Sequence, residues 1–181
     1  PEYQKLESSW RGLAYTVNNS ETDASLKLQV MNVSKEELQK ELRAYPGAKW
    51  DQSPLFKKVY EAEFGQLGGQ PYGCLVGDFY FDHSAGDVKL LRELGKIAAA
   101  SMAPFISSAA PALMGMDSWN ELGNPRDLST LFDTPDYAGW NSLRDSENSR
   151  YIGLTLPRVL SREPYGQNGL PVDEFNFEEE T

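Results

Sequence analysis

One short run of this sequence is almost entirely apolar: residues 73–81 read GCLVGDFYF. Its length is typical of a β-strand, and apolar residues in both alternating sets indicate burial on both faces. Strands of that kind occur in parallel sheets that carry helices on each side. The run therefore predicts a parallel sheet at the centre of the fold, with this strand covered from both sides.

Three other segments have the pattern of strands. Residues 26–33 alternate apolar with polar side chains, and residues 104–109 and 151–156 are short and mostly apolar. Helical patterns separate the four segments, which is typical of α/β proteins. We expect a layered α/β fold with a mostly parallel sheet of about four strands, flanked by helices and joined by right-handed crossovers.

The first helix is predicted from the spacing of its apolar residues. Leu6, Trp10, Leu13 and Val17 recur at helical intervals, which predicts an amphipathic helix from about residue 2 to residue 18. Tryptophans at such positions are more often core anchors than binding-site residues. If the Trp10 ring is buried in this way, its replacement by alanine should destabilise the domain by roughly 3–5 kcal/mol.

Local signals predict where the later helices begin. Capping boxes stand at residues 34–37 and 118–121, and a Ser-Pro or Thr-Pro pair stands at residues 53–54 and 134–135. A polar turn at residues 82–87 leads into a further helix, while Pro125 interrupts the pattern after the second capping box. Each of these signals depends on residues close together in the chain.

The domain organisation is predicted from composition. Residues 1–163 have the pattern of one α/β domain, which need not be complete, and residues 164–181 form an extended tail rich in proline, glycine and acidic residues. We expect little regular structure in the tail, which is either an arm that rests on a neighbour or a frayed end. Because the sequence starts at Pro1 without a methionine, we interpret it as a piece of a longer protein.

The net charge of −10 argues against two classes of partner. So acidic a chain repels the phosphates of nucleic acids and the surfaces of anionic membranes. Residues 97–116 carry no charge and are about long enough to span a bilayer, but Pro104 and Pro111 interrupt them. We therefore expect neither nucleic-acid binding nor membrane insertion.

The single cysteine, Cys74, excludes an internal disulfide and fits a reducing compartment. It lies in the apolar run, so we expect a small core residue rather than a nucleophile. One cysteine and one histidine cannot build a zinc site alone, and the acidic residues 178–180 are typical of a solvated run. The sequence therefore predicts no metal site and no cofactor.

An enzyme remains the alternative interpretation. Parallel strands place their carboxyl ends at one edge, where Asp82, His83 and Ser107 could line a crevice of an α/β hydrolase or nucleotide-binding enzyme. The sequence has no Gly-x-Ser-x-Gly motif. Glycines 65, 68, 69 and 73 precede a strand instead of opening a helix, which is typical of a tight connection and not of a phosphate loop. We therefore name no catalytic residue.

The tryptophans are the best candidates for contacts with another chain. Trp10, Trp50, Trp119 and Trp140 each lie in or beside a predicted helix. Tryptophan is enriched both in cores and at interface anchors. Because Trp50 and Trp119 lie near breaks in regular structure, they are our candidate interface residues. A further hypothesis is an adaptor that binds a protein through the proline-rich segment after Arg162.

Several local motifs occur in one order along the chain: LESSWRGL at 6–13, PYGCLVGD at 71–78, APFI at 103–106, Trp140 with Leu143 and Arg144, and RYIGLTLPRVLSREPYG at 150–166. Together they resemble the large subunit of the bacterial type VI secretion contractile sheath, the TssC/VipB family. The resemblance extends over essentially the whole chain.

The resemblance implies a structural role in the cytoplasm. Members of the family pair with a small sheath subunit of the TssB/VipA type. The heterodimers stack into a helical sheath around a tube of Hcp protein, and contraction of the sheath drives the tube outward. A AAA+ ATPase then recycles the contracted form. The family's pairing, strand exchange, tube contact and ATPase recognition are attributed largely to parts outside this segment, so the resemblance implies no specific binding residue here.

Overall fold

The structure is a computed structural model that describes residues 2–123, 130–166, 169–171 and 177–179. The chain divides into two compact units. We call Asn32–Pro157 the sheet unit, and Pro1–Met31 together with Arg158–Thr181 the terminal unit. The pattern break expected at Pro125 and the acidic residue Glu180 lie outside the described residues.

The sheet unit is built on a parallel sheet in the order β1-β2-β3. The strands are β1 (Leu75–Phe81), β2 (Phe105–Ala109) and β3 (Ile152–Thr155), and both neighbouring pairs are parallel. This confirms the parallel α/β fold, with three strands in the described part of the chain where about four were expected.

The strand expected at residues 26–33 does not form, and that prediction is wrong. The described backbone of this segment pairs with no strand, and Leu26, Leu28 and Val30 are exposed. Alternating hydrophobicity indicates which side chains share a face, but a strand also needs hydrogen bonds from a neighbour. The sequence pattern carries no information about that neighbour.

The helices of the described residues confirm most of the expected positions. They are α1 (Glu2–Asn18), α2 (Lys35–Ala44), α3 (Pro54–Phe56, continuing as a π-helix over Lys57–Phe64), α4 (Ala85–Ser101) and α5 (Ala138–Arg144). Short 3₁₀ turns join them at Gly47–Gln52, Pro111–Met114, Trp119–Gly123, Leu131–Asp133, Pro135–Tyr137 and Glu147–Tyr151.

The first capping box forms as expected, and the second forms in part. The Glu37 amide donates to Ser34 Oγ over 3.1 Å, while the Ser34 amide donates to a Glu37 carboxylate oxygen over 2.8 Å. At the second box, the Ser118 amide donates to Glu121 over 3.2 Å. The Ser118 hydroxyl, however, accepts from the Asn120 amide, and a short 3₁₀ turn follows instead of an α-helix.

The core of the sheet unit surrounds α4, which packs against one face of the sheet and against α2 and α3. Phe81, Leu91 and Ile97 are fully buried there. Helix α4 approaches β3 closely at Gly95, because a Cβ at this position would lie 3.0 Å from Ile152 Cδ1. Glycine thus allows a close helix-to-strand contact.

The other face of the sheet is exposed, so the prediction that β1 is buried on both faces is wrong. The side chain of Val76 is 80% exposed and that of Ile106 is 37% exposed. Cys74, just before β1, is also exposed instead of lying in the core. Composition indicated apolar residues on both faces of the strand, but among the described residues of the sheet unit only one face has a covering layer.

The terminal unit contains α1 with the bounds that the sequence predicted, but none of its residues is buried. Trp10 is 63% exposed, so the expectation that it lies in a core is wrong. An amphipathic pattern shows that a helix has an apolar face, and says nothing about what covers that face. Among the described residues, no helix has the length and apolar character needed to cross a bilayer.

Candidate assembly surfaces

Ser107, the candidate nucleophile of the enzyme alternative, supports the sheet instead. The pairing of β1 with β2 is irregular between Val76 and Tyr80. The four residue steps of β1 in this part lie opposite only two residue steps of β2, from Ile106 to Ser108. Ser107 is 3% exposed, and its Oγ lies 2.8 Å from the carbonyl oxygen of Gly77 and 3.0 Å from that of Phe79. The hydroxyl therefore donates to the main chain of the irregular part of β1.

Asp82 and His83, the other two candidates, have separate partners. The Asp82 carboxylate accepts the Ser84 amide over 2.8 Å at the start of α4. Burial opposes ionisation of Asp82, but the hydrogen bonds with Ser84 and Asp87 and the positive charge of Lys35 together outweigh it, and the pKa of Asp82 lies below the ordinary value. The His83 ring stacks on Tyr137 with 4.2 Å between centroids. These contacts give the residues structural roles and do not support the enzyme alternative.

The glycines before β1 form a connection, as the sequence indicated. Gly68 has a φ of +84°, which favours glycine, and a Cβ at Gly69 would collide with the main chain of Glu63. The Gln70 amide donates to the Glu63 carboxylate over 2.9 Å. The described residues contain no group of three or more histidine, cysteine or acidic side chains arranged to hold a metal ion.

A buried ion pair fixes the start of α2 against α4, which sequence reasoning missed. Lys35 Nζ donates to Asp87 Oδ2 over 2.7 Å and to the carbonyl oxygen of Tyr80 over 2.6 Å. The same Asp87 oxygen accepts the Asp82 amide over 2.9 Å. Asp87 is 6% exposed, so the pair is desolvated and links two helices to the end of β1. No spacing in the sequence joins these residues.

An arginine-centred cluster organises the terminal unit. The Arg162 guanidinium donates to both carboxylate oxygens of Glu7 over 2.8 and 2.7 Å, and to both oxygens of Glu179 over 2.6 and 2.9 Å. The Arg162 guanidinium also lies 4.0 Å from the centroid of the Tyr165 ring. These contacts join the segment after Arg158 to α1 within one unit, which counts against the adaptor hypothesis.

The cluster strongly favours the ionised form of both carboxylates. Hydrogen bonds from Arg162 and then Arg11 lower the pKa of Glu7 to about 2. Those from Arg162, from the Tyr165 amide and from Gln4 lower the pKa of Glu179 to about 2. Glu179 is thus an ion-pair partner and not part of a freely solvated acidic run. The sequence offered one hint, since Arg162 and Glu7 both lie in the ordered motifs.

The candidate interface residues occupy different environments. Trp50 is half-buried and meets Phe56 edge to face, with 5.1 Å between ring centroids, beside the core. Trp119 is also half-buried, in the short turn Trp119–Gly123. Its Nε1 is buried and finds no hydrogen-bond acceptor in the part of the chain that the structure describes. Trp140 Nε1 is buried without an acceptor in the same described residues, so this feature does not distinguish Trp119 from a core tryptophan.

Comparisons with known proteins agree with one another. The whole chain, residues 1–181, matches the family model VipB, described as the EvpB/VC_A0108 tail sheath N-terminal domain. It is 64% identical over 180 residues to a curated protein of Pseudomonas aeruginosa strain PAO1, the type VI secretion system sheath protein TssC1. The alignment covers 99% of this chain and 36% of the relative. The chain therefore spans about a third of the relative's length.

Proposed function

The chain belongs to the VipB tail sheath family, and we propose that it is a structural part of the contractile sheath of a bacterial type VI secretion system. The observation that carries this proposal is the 64% identity to a sheath protein over 99% of the chain. The family membership confirms the resemblance inferred from the ordered motifs.

The full-length protein is proposed to assemble in the cytoplasm with a small sheath subunit of the TssB/VipA type. Repeated heterodimers then form a helical sheath around a tube of Hcp, and contraction moves the tube. Recycling by a AAA+ ATPase acts through other parts of the protein. A helical sheath needs interfaces between unlike surfaces that do not close into a ring.

The segment is proposed to contribute a rigid body and no catalytic group. Contraction moves subunits against one another while each fold persists, which requires firm internal contacts. The buried Lys35–Asp87 pair and the core around α4 provide such contacts in the sheet unit. The Ser107 hydroxyl, which donates to the main chain, supports a structural role for the residue that an enzyme would use as nucleophile.

Trp50 and Trp119 are proposed contacts with neighbouring subunits. The test is co-production of the full-length protein with its small partner, followed by electron microscopy of the tubules. We expect the Trp119→Ala protein to form at least tenfold fewer tubules with an unchanged thermal midpoint. Trp140→Ala is the comparison for folding, because Trp140 also has a buried Nε1 without a described acceptor but packs against the core, so its loss should lower the midpoint. Normal tubules from Trp119→Ala would exclude that residue as an interface anchor.

The sheath proposal itself has a separate readout. The unaltered protein and its partner should form tubules visible by electron microscopy. If the two proteins gave only small soluble complexes under every condition tried, the sheath role would be contradicted.

A further inference from the structure

The uncovered face of the sheet has a regular arrangement of side chains. The parallel register aligns Val76, Ile106 and Gly153 across the three strands. A second aligned row, nearer the strand ends, contains Tyr80, Ser108 and Thr155. Because side chains alternate between faces, both rows lie opposite the core residues Phe81 and Phe105. The face thus has an apolar half and a polar half.

An uncovered face is unusual for a parallel sheet. Parallel strands are joined by crossover helices that lie on both faces, so such sheets are almost always buried on each side. Here α4 packs on one face only, while Val76 and Ile106 are 80% and 37% exposed on the other. Burial of these two side chains would stabilise the sheet unit, so a further layer over this face is energetically favourable.

The shape of the face fits one helix. Three strands at a spacing of about 4.8 Å give a surface about 10–15 Å wide, close to the diameter of an α-helix with its side chains. Gly153 has no side chain, so the surface of the sheet is lower at this end of the apolar row. A Cβ added at Gly153 would have Ile106 Cγ1, 3.8 Å away, as its nearest neighbour. A helix can therefore seat a large aliphatic side chain over Gly153, beside Ile106.

The charge of the face defines the chemistry of its occupant. The three strands contain no lysine or arginine. The chain as a whole has a net charge of −10. A helix with an aliphatic stripe and a lysine or arginine at its edge would complement both the apolar row and the acidic net charge of the chain.

We propose that this face is covered by an amphipathic, basic-edged α-helix from the same polypeptide, in the part of the full-length protein outside residues 1–181. The TssC1 relative has 64% of its length outside the matched region (100% minus 36%), so enough chain exists for such a helix. The source is the same polypeptide because crossover helices in cis are how parallel sheets acquire their second layer. The proposal does not depend on sheath assembly.

The test uses thiol accessibility in the full-length protein, produced with and without its small partner. Cys74, which is exposed, is first replaced by serine. Val76→Cys and Ile106→Cys are then compared with Leu67→Cys, a fully exposed apolar position in the loop before β1. Without the partner, we expect maleimide labelling at positions 76 and 106 to be at least tenfold slower than at position 67. Equal labelling rates would overturn the proposal.

A photo-crosslink identifies the occupant. Benzoylphenylalanine is introduced at position 76 of the full-length protein, with position 67 as the control site. We expect a crosslink at position 76, and not at 67, to a helix of the same polypeptide beyond residues 1–181. A crosslink to a second subunit, protection that appears only with the partner, or a crosslink within residues 1–181 would each overturn the proposal. None of these outcomes depends on tubule formation, so a failure here is distinguishable from a failure of the sheath role.

Discussion

Lys35 Nζ lies 2.7 Å from Asp87 Oδ2 and thereby ties the first turn of α2 to the first turn of α4. The lysine is four-fifths buried, and the carboxylate is buried still further. An ion pair in such a place contributes little net stability compared with a well-packed apolar pair, but the loss of one partner leaves a buried charge.

Lys35→Met should therefore destabilise the sheet unit by about 3 kcal/mol, because Asp87 would remain buried without its cation. The measurement is the free energy of unfolding in urea. Lys40→Met, at an exposed position of α2, is the matched control and should change the free energy by less than about 0.5 kcal/mol. Equal effects of the two substitutions would show that the pair does not fix the helices.

Ser107→Ala should reduce the free energy of unfolding by about 1–3 kcal/mol. The substitution removes the donor to the carbonyl groups of Gly77 and Phe79, which lie in the irregular part of β1. Ser108→Ala is the control, because its hydroxyl makes a long 3.4 Å contact with Thr155 on the outer face. If the two variants unfolded alike, the support of β1 by Ser107 would be refuted.

Gly77→Ala should destabilise the sheet unit by about 1–3 kcal/mol through overpacking. The added Cβ would lie 2.7 Å from Phe105 Cζ and 2.8 Å from Phe79 Cδ2. Gly153→Ala provides the control within the same sheet, since its new Cβ would have ordinary contacts. Thermal unfolding of both variants gives the comparison, and an unchanged midpoint for Gly77→Ala would contradict the close packing of the two phenylalanines.

The Arg162 cluster should make the terminal unit sensitive to acid. Glu7 and Glu179 have a pKa of about 2 when folded, against 4.5 for an ordinary glutamate. Because folding lowers these values, their stabilising effect is present in full above about pH 4.5 and is lost as the pH falls towards 2. Carboxyl carbon shifts in NMR, followed as a function of pH, would measure both values.

Arg162→Gln should raise the pKa of Glu7 and Glu179 towards 4.5, since it removes the main donor to both. Arg150→Gln is the control, because Arg150 pairs with Glu147 at the surface and not with either residue of the cluster. A Glu7 titration unchanged by Arg162→Gln would mean that the cluster does not form in solution.

Most local features of the fold and the parallel arrangement of the sheet were predictable from the sequence. The side-chain contacts between distant residues were not. The bounds of α1 and the capping box of α2 depend on residues within a few positions of one another, and both are confirmed. The strand at residues 26–33 and the burial of Trp10 required knowledge of a partner surface, and both predictions failed.

Prediction of the candidate site residues from the sequence was limited in the same way. Trp50 and Trp119 were selected from composition and position, and their role at an interface stays a prediction. The pair of Arg162 with Glu7 joins residues 155 positions apart, so no window of the sequence contains both. The Lys35–Asp87 pair is separated by 52 positions and was invisible for the same reason. In contrast, the family was recognisable because its motifs occur in a fixed order.

Because Gly95 has no side chain, α4 fits closely against β3 at one position along the helix axis. A slide of α4 by one helical turn, about 5.4 Å, would replace Gly95 with Leu91 or Ala99 against Ile152, where even a Cβ is tightly accommodated. The close contact at Gly95 therefore opposes sliding of α4 along its axis as well as separation of α4 from the sheet. A force that pulls on α4 lengthwise would therefore be passed on to the strand, and the sheet unit would move as a whole.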